Sequence, residues 1–150
     1  MKKSKHRLSI WTIGHGGLSK DFFLSLLRKH KINLLADVRR FPTSRLEHFR
    51  KESLEKWLPK EGVEYLWLGG ELGGYRREGY EKHMETTLFK KGVERLLELA
   101  RDRRVCVMCL ETDPKYCHRR FIARYLRKKG VRIFHIGNFS TRVEKTKSQV

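Results

Sequence analysis

The sequence predicts an α/β domain, with a mostly parallel sheet of about five strands and helices on both faces. Short, continuously apolar runs alternate along the chain with longer amphipathic segments. Continuous apolar runs are typical of strands that are buried on both faces of a sheet. A length of 150 residues suits one three-layer domain with its own core. We place that core at about 8–137 and expect 1–6 and 141–150 to be flexible.

The predicted strands are short apolar runs, each bounded by polar or glycine-rich turns. They are Leu8–Ile13, Asn33–Val38, Val63–Leu68, Val105–Leu110 and Val131–Ile136.

The predicted helices begin with one that Ser19 caps, because serine is a favoured N-cap residue. Its core face is predicted to be Phe22, Phe23, Leu26 and Leu27. Further helices are predicted over Ser53–Lys60, Tyr80–Thr86 and Leu88–Arg101, and from Asp113-Pro114 to about Lys129. Between them, the glycine-rich segment Gly69–Gly79 carries Arg76 and Arg77 and is predicted to be a long mobile loop.

The composition is strongly basic. Lys and Arg total 35 against 17 Asp and Glu, which gives a formal net charge of +18. Such an excess favours partners that carry phosphate, namely DNA, RNA or a nucleotide. The alternative is a charged surface that only keeps the protein in solution. Asn and Gln are scarce beside abundant Lys, Arg and Glu, which favours a thermophilic source.

Three cysteines, at 106, 109 and 117, are too few and too clustered for a disulfide framework. A reducing cytoplasm is therefore expected. The sequence shows no transmembrane segment, and the apolar run behind its basic start is too short for a signal peptide. A metal site from Cys109, Cys117, His118 and His15 is not favoured, because their spacing matches no metal-binding pattern. No cofactor is predicted.

The stretch from Val105 to Arg120 concentrates reactive side chains between a predicted strand and a predicted helix. Cys109, Glu111, Cys117, His118 and Arg119 all fall there. In open α/β sheets, ligands bind at the carboxyl ends of the strands. All parallel strands share that edge, which we call the carboxyl edge.

Other predicted strands end at the carboxyl edge with His15, Asp37, Arg39 and His135. We therefore expect His15, Arg39, Cys109, Glu111 and His118 to converge in one cleft.

Candidate catalytic residues are Cys109, Glu111, Cys117, His118 and Asp37. A cysteine near a helix N-terminus and among cations has a lowered pKa, so either Cys109 or Cys117 is a candidate nucleophile. His118 would act as base or acid, whereas Asp37 and Glu111 would be an acid–base pair or would orient His and Arg. Alternatively, the cysteines pack in the core, His118 is a core histidine, and the carboxylates only form ion pairs. Cys106 is interpreted as a core residue.

Candidate substrate-binding residues are His15, Arg39, Ser44, Arg76 and Arg119, with Arg39 and Arg119 as the phosphate-binding pair. The cations expected at the carboxyl edge are arginines, whose planar fork binds phosphate bidentately. The order along the chain, a strand followed by a cysteine, a loop and a helix, is also that of cysteine phosphatases and sulfurtransferases. Those proteins carry arginine six positions after the cysteine, where this chain has Lys115.

The chain resembles the domain-of-unknown-function 488 family over roughly residues 8–137. Gly16 stands where the family start T-I-G-H-S has its serine. The resemblance implies a fold and a site but no established activity. The matching segments are T-I-G-H at 12–15, D-V-R at 37–39, P-x-S at 42–44, L-G-G at 72–74, C-L-E-T-D-P-K-Y-C-H-R-R at 109–120 and F-H-I at 134–136.

Three functions remain open at this point. The leading hypothesis is an enzyme acting on a phosphate-bearing substrate, a nucleic acid or a nucleotide. The second is a non-catalytic nucleic-acid-binding module whose cysteines only pack. The third is a cysteine-based redox or sulfur-transfer protein.

Overall fold

The sheet contains five parallel strands: β1 (Ser9–Gly14), β2 (Leu34–Asp37), β3 (Glu64–Trp67), β4 (Val105–Cys109) and β5 (Arg132–Ile136). Their order across the sheet is β3-β2-β4-β1-β5. These positions come from a computed structural model, which describes residues 7–137. The segments that were expected to be flexible, 1–6 and 141–150, lie outside the described residues.

Six helices connect the strands: α1 (Lys20–Lys29), α2 (Lys51–Lys60), α3 (Gly69–Leu72), α4 (Tyr80–His83), α5 (Thr87–Ala100) and α6 (Arg119–Lys128). Helices α1 and α2 bury their apolar residues against one face of the sheet. Helices α3, α5 and α6 bury theirs against the other face. The predicted fold, an α/β domain of three layers, is confirmed.

Strand β4 lies in the middle of the sheet, between β2 and β1, and all five of its residues are buried. Its side chains alternate between the two cores, as strand geometry requires. Val107 and Cys109 face α5 and α6, whereas Cys106 and Met108 face α1 and α2. The register pairs Cys109 with Gly14 of β1 and Met108 with Asp37 of β2. The ends of the three central strands are therefore level at the carboxyl edge.

The predicted helix from Asp113 to Lys129 is wrong in its first turn. Asp113 does cap a start, since its Oδ1 accepts the Lys115 N–H at 2.9 Å, but only a 3₁₀ turn, Pro114–Tyr116, follows. Cys117 then has an extended backbone (φ −130°, ψ 145°), and α6 begins at Arg119. This interruption leaves Cys117 and His118 between the turn and α6.

The segment Gly69–Gly79, predicted to be one long loop, begins with helix α3. The Arg76 side chain donates from Nε to the Gly73 carbonyl at 2.9 Å and from Nη2 to the Gly70 carbonyl at 2.7 Å. Arginine therefore satisfies the carbonyl groups that the end of a short helix leaves unpaired.

The predicted cap of α1 is present, because Ser19 Oγ accepts the Phe22 N–H at 3.1 Å. The predicted core face of this helix is partly wrong. Phe23, Leu24 and Leu27 are buried, but Phe22 is 53% exposed. None of the helices within 7–137 is both long and apolar enough to cross a membrane.

Candidate functional site

A cleft of about 400 Å³ opens at the carboxyl edge of the sheet. Its lining includes six of the residues that the sequence indicated as site residues: Arg39, Arg76, Cys109, Glu111, Cys117 and His118. These six residues come from the end of β2, the segment after α3, the end of β4 and the residues just before α6.

Arg39 is held in the wall of the cleft by a buried carboxylate. Its Nε donates to Asp37 Oδ1 at 2.9 Å, and its Nη2 donates to Asp37 Oδ2 at 2.7 Å. The Tyr65 hydroxyl donates to the same Oδ2 at 2.5 Å. Asp37 is completely buried and Arg39 is 5% exposed, so this is a buried, bidentate ion pair. Asp37 is thus engaged in holding Arg39, whereas Glu111 is exposed in the lining.

His15 lies behind Arg39 and is completely buried, with its ring stacked on Phe49 at a centroid distance of 4.3 Å. Its Nε2 is 3.3 Å from Arg39 Nη1, and its Nδ1 is 2.9 Å from the Gly16 carbonyl oxygen. Because arginine only donates, Nε2 must accept and Nδ1 carries the proton. Burial lowers the pKa of His15 to about 4, which agrees with a neutral ring. His15 therefore positions Arg39 and does not line the cleft.

The sulfur atoms of Cys109 and Cys117 lie in contact at the floor of the cleft, paired as a disulfide across eight positions of the chain. The sequence did not predict this pairing: reduced cysteines were expected, as nucleophiles, core residues or, less favoured, metal ligands. The backbone N–H of Arg119, at the start of α6, donates to Cys117 Sγ at 3.4 Å. Cys106 is fully buried in the sheet, which raises the pKa of its thiol, as expected of a core residue.

His118 presents one ring nitrogen to the sulfur of its neighbour. Its Nε2 donates to the Val38 carbonyl at 3.1 Å, so Nδ1 is the accepting nitrogen in the neutral ring. Nδ1 is 3.9 Å from Cys117 Sγ. Gly74 packs closely here, since a Cβ at that position would be 3.1 Å from Nδ1. Burial lowers the pKa of His118 to about 4, so its ring is neutral at neutral pH.

Arg119 lies beneath the loop that connects β4 to α6 and is completely buried. Its Nη2 donates to the carbonyl oxygens of Glu111 and Thr112, at 2.9 and 2.7 Å. Its Nη1 donates to Thr12 Oγ1 at 2.6 Å, and the same hydroxyl is hydrogen-bonded to His135 Nδ1 at 2.5 Å. The structure thus places this predicted phosphate-binding residue outside the lining, where it ties the loop to β1.

Two further residues named from the sequence lie away from the lining. Ser44 Oγ accepts the Leu46 N–H at 3.0 Å and so closes a turn. His135 lies on β5 and is hydrogen-bonded to Thr12 on the neighbouring strand β1. Within 7–137, no three His, Cys, Asp or Glu side chains are arranged to hold a metal ion.

Sequence reasoning expected Arg40 among the arginines of the carboxyl edge, but it named neither Arg40 nor the aromatic residues of the lining, Phe41, Tyr75 and Tyr80, as candidate site residues. Arg40 Nη1 donates to the Tyr75 carbonyl at 2.8 Å, which joins two segments that lie 35 positions apart. The Tyr80 ring lies 5.3 Å from the His118 ring, and its hydroxyl donates to the Leu72 carbonyl at 2.7 Å. Only the position of Arg40 and Phe41 directly after a predicted strand could have indicated them.

The buried ion pair generates the first prediction. Replacing Asp37 by Asn should lower the free energy of unfolding by about 3–5 kcal/mol, because it leaves Arg39 buried without a counter-charge. Tyr65→Phe removes only one hydrogen bond to the same carboxylate and should cost about 1.5–3 kcal/mol. Urea unfolding measures both. An Asp37→Asn variant that loses no more stability than Tyr65→Phe would contradict this account of the pair.

Stability should also fall on mild acidification. His15, His118 and His135 have pKa values lowered by burial from 6.5 to about 4. Between those values the unfolded chain binds protons that the folded chain does not, so the free energy of unfolding rises with pH across this window. It should therefore be lower at about pH 5 than at about pH 7.

Denaturant midpoints at both pH values measure this effect. His15→Gln should flatten the dependence, and the His118 ring should remain neutral in an NMR titration down to about pH 5. A midpoint that does not change over this range would contradict the assignment.

No curated protein matches the chain, and no solved structure matches it. The sequence model of one family, described as Domain of unknown function DUF488, matches residues 19–126. That span is more than half of the 150 residues and contains Arg39, Cys109, Cys117 and His118. The chain therefore belongs to the domain-of-unknown-function 488 family.

Proposed function

We propose that the protein is an enzyme that acts on a phosphate-bearing substrate, a nucleic acid or a nucleotide, bound in the cleft. The observation that supports this most directly is the pair of arginines Arg40 and Arg76 in the lining. No salt bridge joins either one to a carboxylate in the described part of the chain, whereas Asp37 neutralises Arg39.

Arg40 and Arg76 are close enough to repel each other. The pKa of Arg76 is lowered, first by its burial and then by the charge of Arg40. An anion bound beside both guanidinium groups would relieve this repulsion, and phosphate fits the planar fork of arginine. The net charge of +18 would add long-range attraction for a polyanion.

The thiol that we assign to the reaction is Cys117 in its reduced form. His118 Nδ1 can accept its proton, and the Arg119 N–H can stabilise the resulting thiolate. A bound phosphate would raise the pKa of His118 by its negative charge, which makes the ring a better acceptor of that proton. Glu111, exposed in the same lining, is placed to exchange a proton with the substrate.

Binding tests the phosphate part of this proposal. Arg40→Gln with Arg76→Gln should weaken the affinity for single-stranded DNA or RNA by about tenfold or more, because charge-assisted hydrogen bonds are lost. It should also flatten the dependence of affinity on salt, since fewer counterions are released. The matched control is Lys128→Gln with Lys129→Gln, at the end of α6. It should change the dependence of affinity on salt less.

Fluorescence anisotropy across a salt series measures both quantities. No binding at about 50 mM salt, where such contacts are strongest, would remove nucleic acid as the substrate. If only the replacement of Lys128 and Lys129 altered the dependence of affinity on salt, the binding surface would lie outside the cleft.

Turnover separates an enzyme from a binding module. A screen of phosphate-bearing substrates, with reductant present, should find a reaction that His118→Gln abolishes while affinity is kept. A protein that binds nucleic acid but turns over none of these substrates, with or without the substitution, would be the non-catalytic module.

The contact between the sulfur atoms supports a second candidate, a cysteine-based redox protein. In thiol–disulfide exchange, the Cys109 and Cys117 thiols would lose two protons and two electrons to form their disulfide. A disulfide substrate would take them up and become two thiols.

Thiol counting tests this candidate. After exposure to oxidised glutathione, the denatured chain should react with a thiol reagent at one cysteine, Cys106, whereas after reduction it should react at all three. Cys117→Ser should prevent the loss of Cys109 labelling unless it forms a mixed disulfide, which mass spectrometry detects. Three reactive thiols in the oxidised wild-type protein would exclude the disulfide.

A further inference from the structure

Two aromatic side chains stand exposed in the lining of the cleft. Phe41 is 61% exposed and Tyr75 is 81% exposed, the highest values among the large apolar side chains of the described residues. Their ring centroids are 6.0 Å apart, with the planes inclined at 42°. Leu110, 49% exposed, is also in the lining. Side chains this exposed gain little from the hydrophobic effect, so folding alone does not explain them.

The backbone at Tyr75 adds a second observation. Its φ is +59°, in the left-handed region that residues other than glycine, asparagine and aspartate rarely adopt. Glycine, which adopts this φ without strain, stands at 73 and 74 but not at 75. The strained backbone at Tyr75 is not offset by packing, because the ring is almost fully exposed. Strain of this kind at the wall of a cleft is a sign of function.

Arg40 fixes the two rings relative to one another. Its Nη1 donates to the Tyr75 carbonyl at 2.8 Å, and its guanidinium carbon lies 5.7 Å from the centre of the Phe41 ring. Gly73 allows this approach, because a Cβ there would collide with the backbone of Arg40. The residue that we assign to phosphate binding therefore also positions the aromatic pair.

From this arrangement we infer that Phe41 and Tyr75 form a stacking site for an unpaired base of a single-stranded nucleic acid. The inference rests on the proposed function, with the phosphate of the same nucleotide beside Arg40 and Arg76. Bases stack on aromatic side chains whatever their sequence, and arginine follows the backbone. A base within a duplex has both faces covered by its neighbours, so only an unpaired base can use these rings.

The net charge of +18 favours a strand over a free nucleotide, because a strand offers several phosphates. DNA and RNA share the chemistry that this site recognises. The two are separated by comparing strands of the same sequence that differ only in the sugar, since a contact to the 2′-hydroxyl favours RNA.

The test uses short DNA and RNA strands that carry one fluorescent adenine analogue, with the full chain under reducing conditions. Binding should quench the fluorescence as the base stacks. An abasic strand with the same number of phosphates, and a fully paired duplex, should each bind roughly tenfold more weakly or worse, as expected for loss of a base–aromatic stack. Inorganic phosphate serves as the probe for Arg40 and Arg76 alone.

The variants separate the ring from the backbone. Tyr75→Asn removes the ring but tolerates the positive φ, so the fold should survive while affinity falls about tenfold and quenching is lost. Phe41→Leu should act in the same direction. Tyr75→Phe keeps the ring and should bind as the wild type does. Phe22→Leu, an exposed aromatic on α1 outside the lining, is the matched control and should change nothing.

Equal affinity for the abasic and the base-bearing strand would overturn the stacking site, as would wild-type quenching in Tyr75→Asn. In either case the phosphate contacts, and with them the proposed function, would stand. Failure of every strand and of inorganic phosphate to bind would overturn both.

Discussion

The buried ion pair of Asp37 and Arg39 holds the carboxyl edge together. It sits at the end of β2, and Arg39 makes hydrogen bonds from there to residues at the ends of β1 and β3. Its Nη1 donates to His15, which follows β1, and its carbonyl accepts the Trp67 indole N–H of β3 at 2.8 Å. A Cβ at Gly69 would collide with that carbonyl, so α3 can begin here only because the residue is glycine. The ends of three strands and the start of a helix thus meet at one residue, Arg39, through its guanidinium group and its backbone carbonyl.

The protein buries a second guanidinium, that of Arg119, in a different way. Burial costs a charged group several kcal/mol unless other groups replace its hydration. Arg39 has a carboxylate for this purpose, whereas Arg119 has two carbonyl oxygens and a hydroxyl, and its Nε has no hydrogen-bond partner within 7–137. Burial accordingly lowers the pKa of Arg119 to about 10, which still leaves it charged at neutral pH. A positive charge that is hydrogen-bonded but forms no salt bridge within 7–137 therefore lies directly beneath the cysteine-bearing loop.

The sheet and its carboxyl edge were predictable because they follow from local patterns, namely apolar runs and helix caps. The positions of Cys109, Cys117 and His118 in one lining follow from the same patterns, since a strand and the next helix are adjacent in sequence. The burial of Arg119 was not predictable, because arginine is ordinarily exposed and the partners of this one are backbone carbonyl oxygens of the preceding loop, which leave no signal in the sequence. The meeting of Phe41 with Tyr75 depends on a long-range hydrogen bond of Arg40, for which the sequence carries no periodic signal.

Arg119 binds the loop through the backbone oxygens of Glu111 and Thr112 and makes no bond to their side chains. Any residue can supply a carbonyl oxygen, so the path of the loop does not depend on which side chain stands at 111. The exposed side chain there can be exchanged while the cysteines below it keep their places. A substitution at 111 can therefore change the chemistry of the cleft lining without a matching change in the fold.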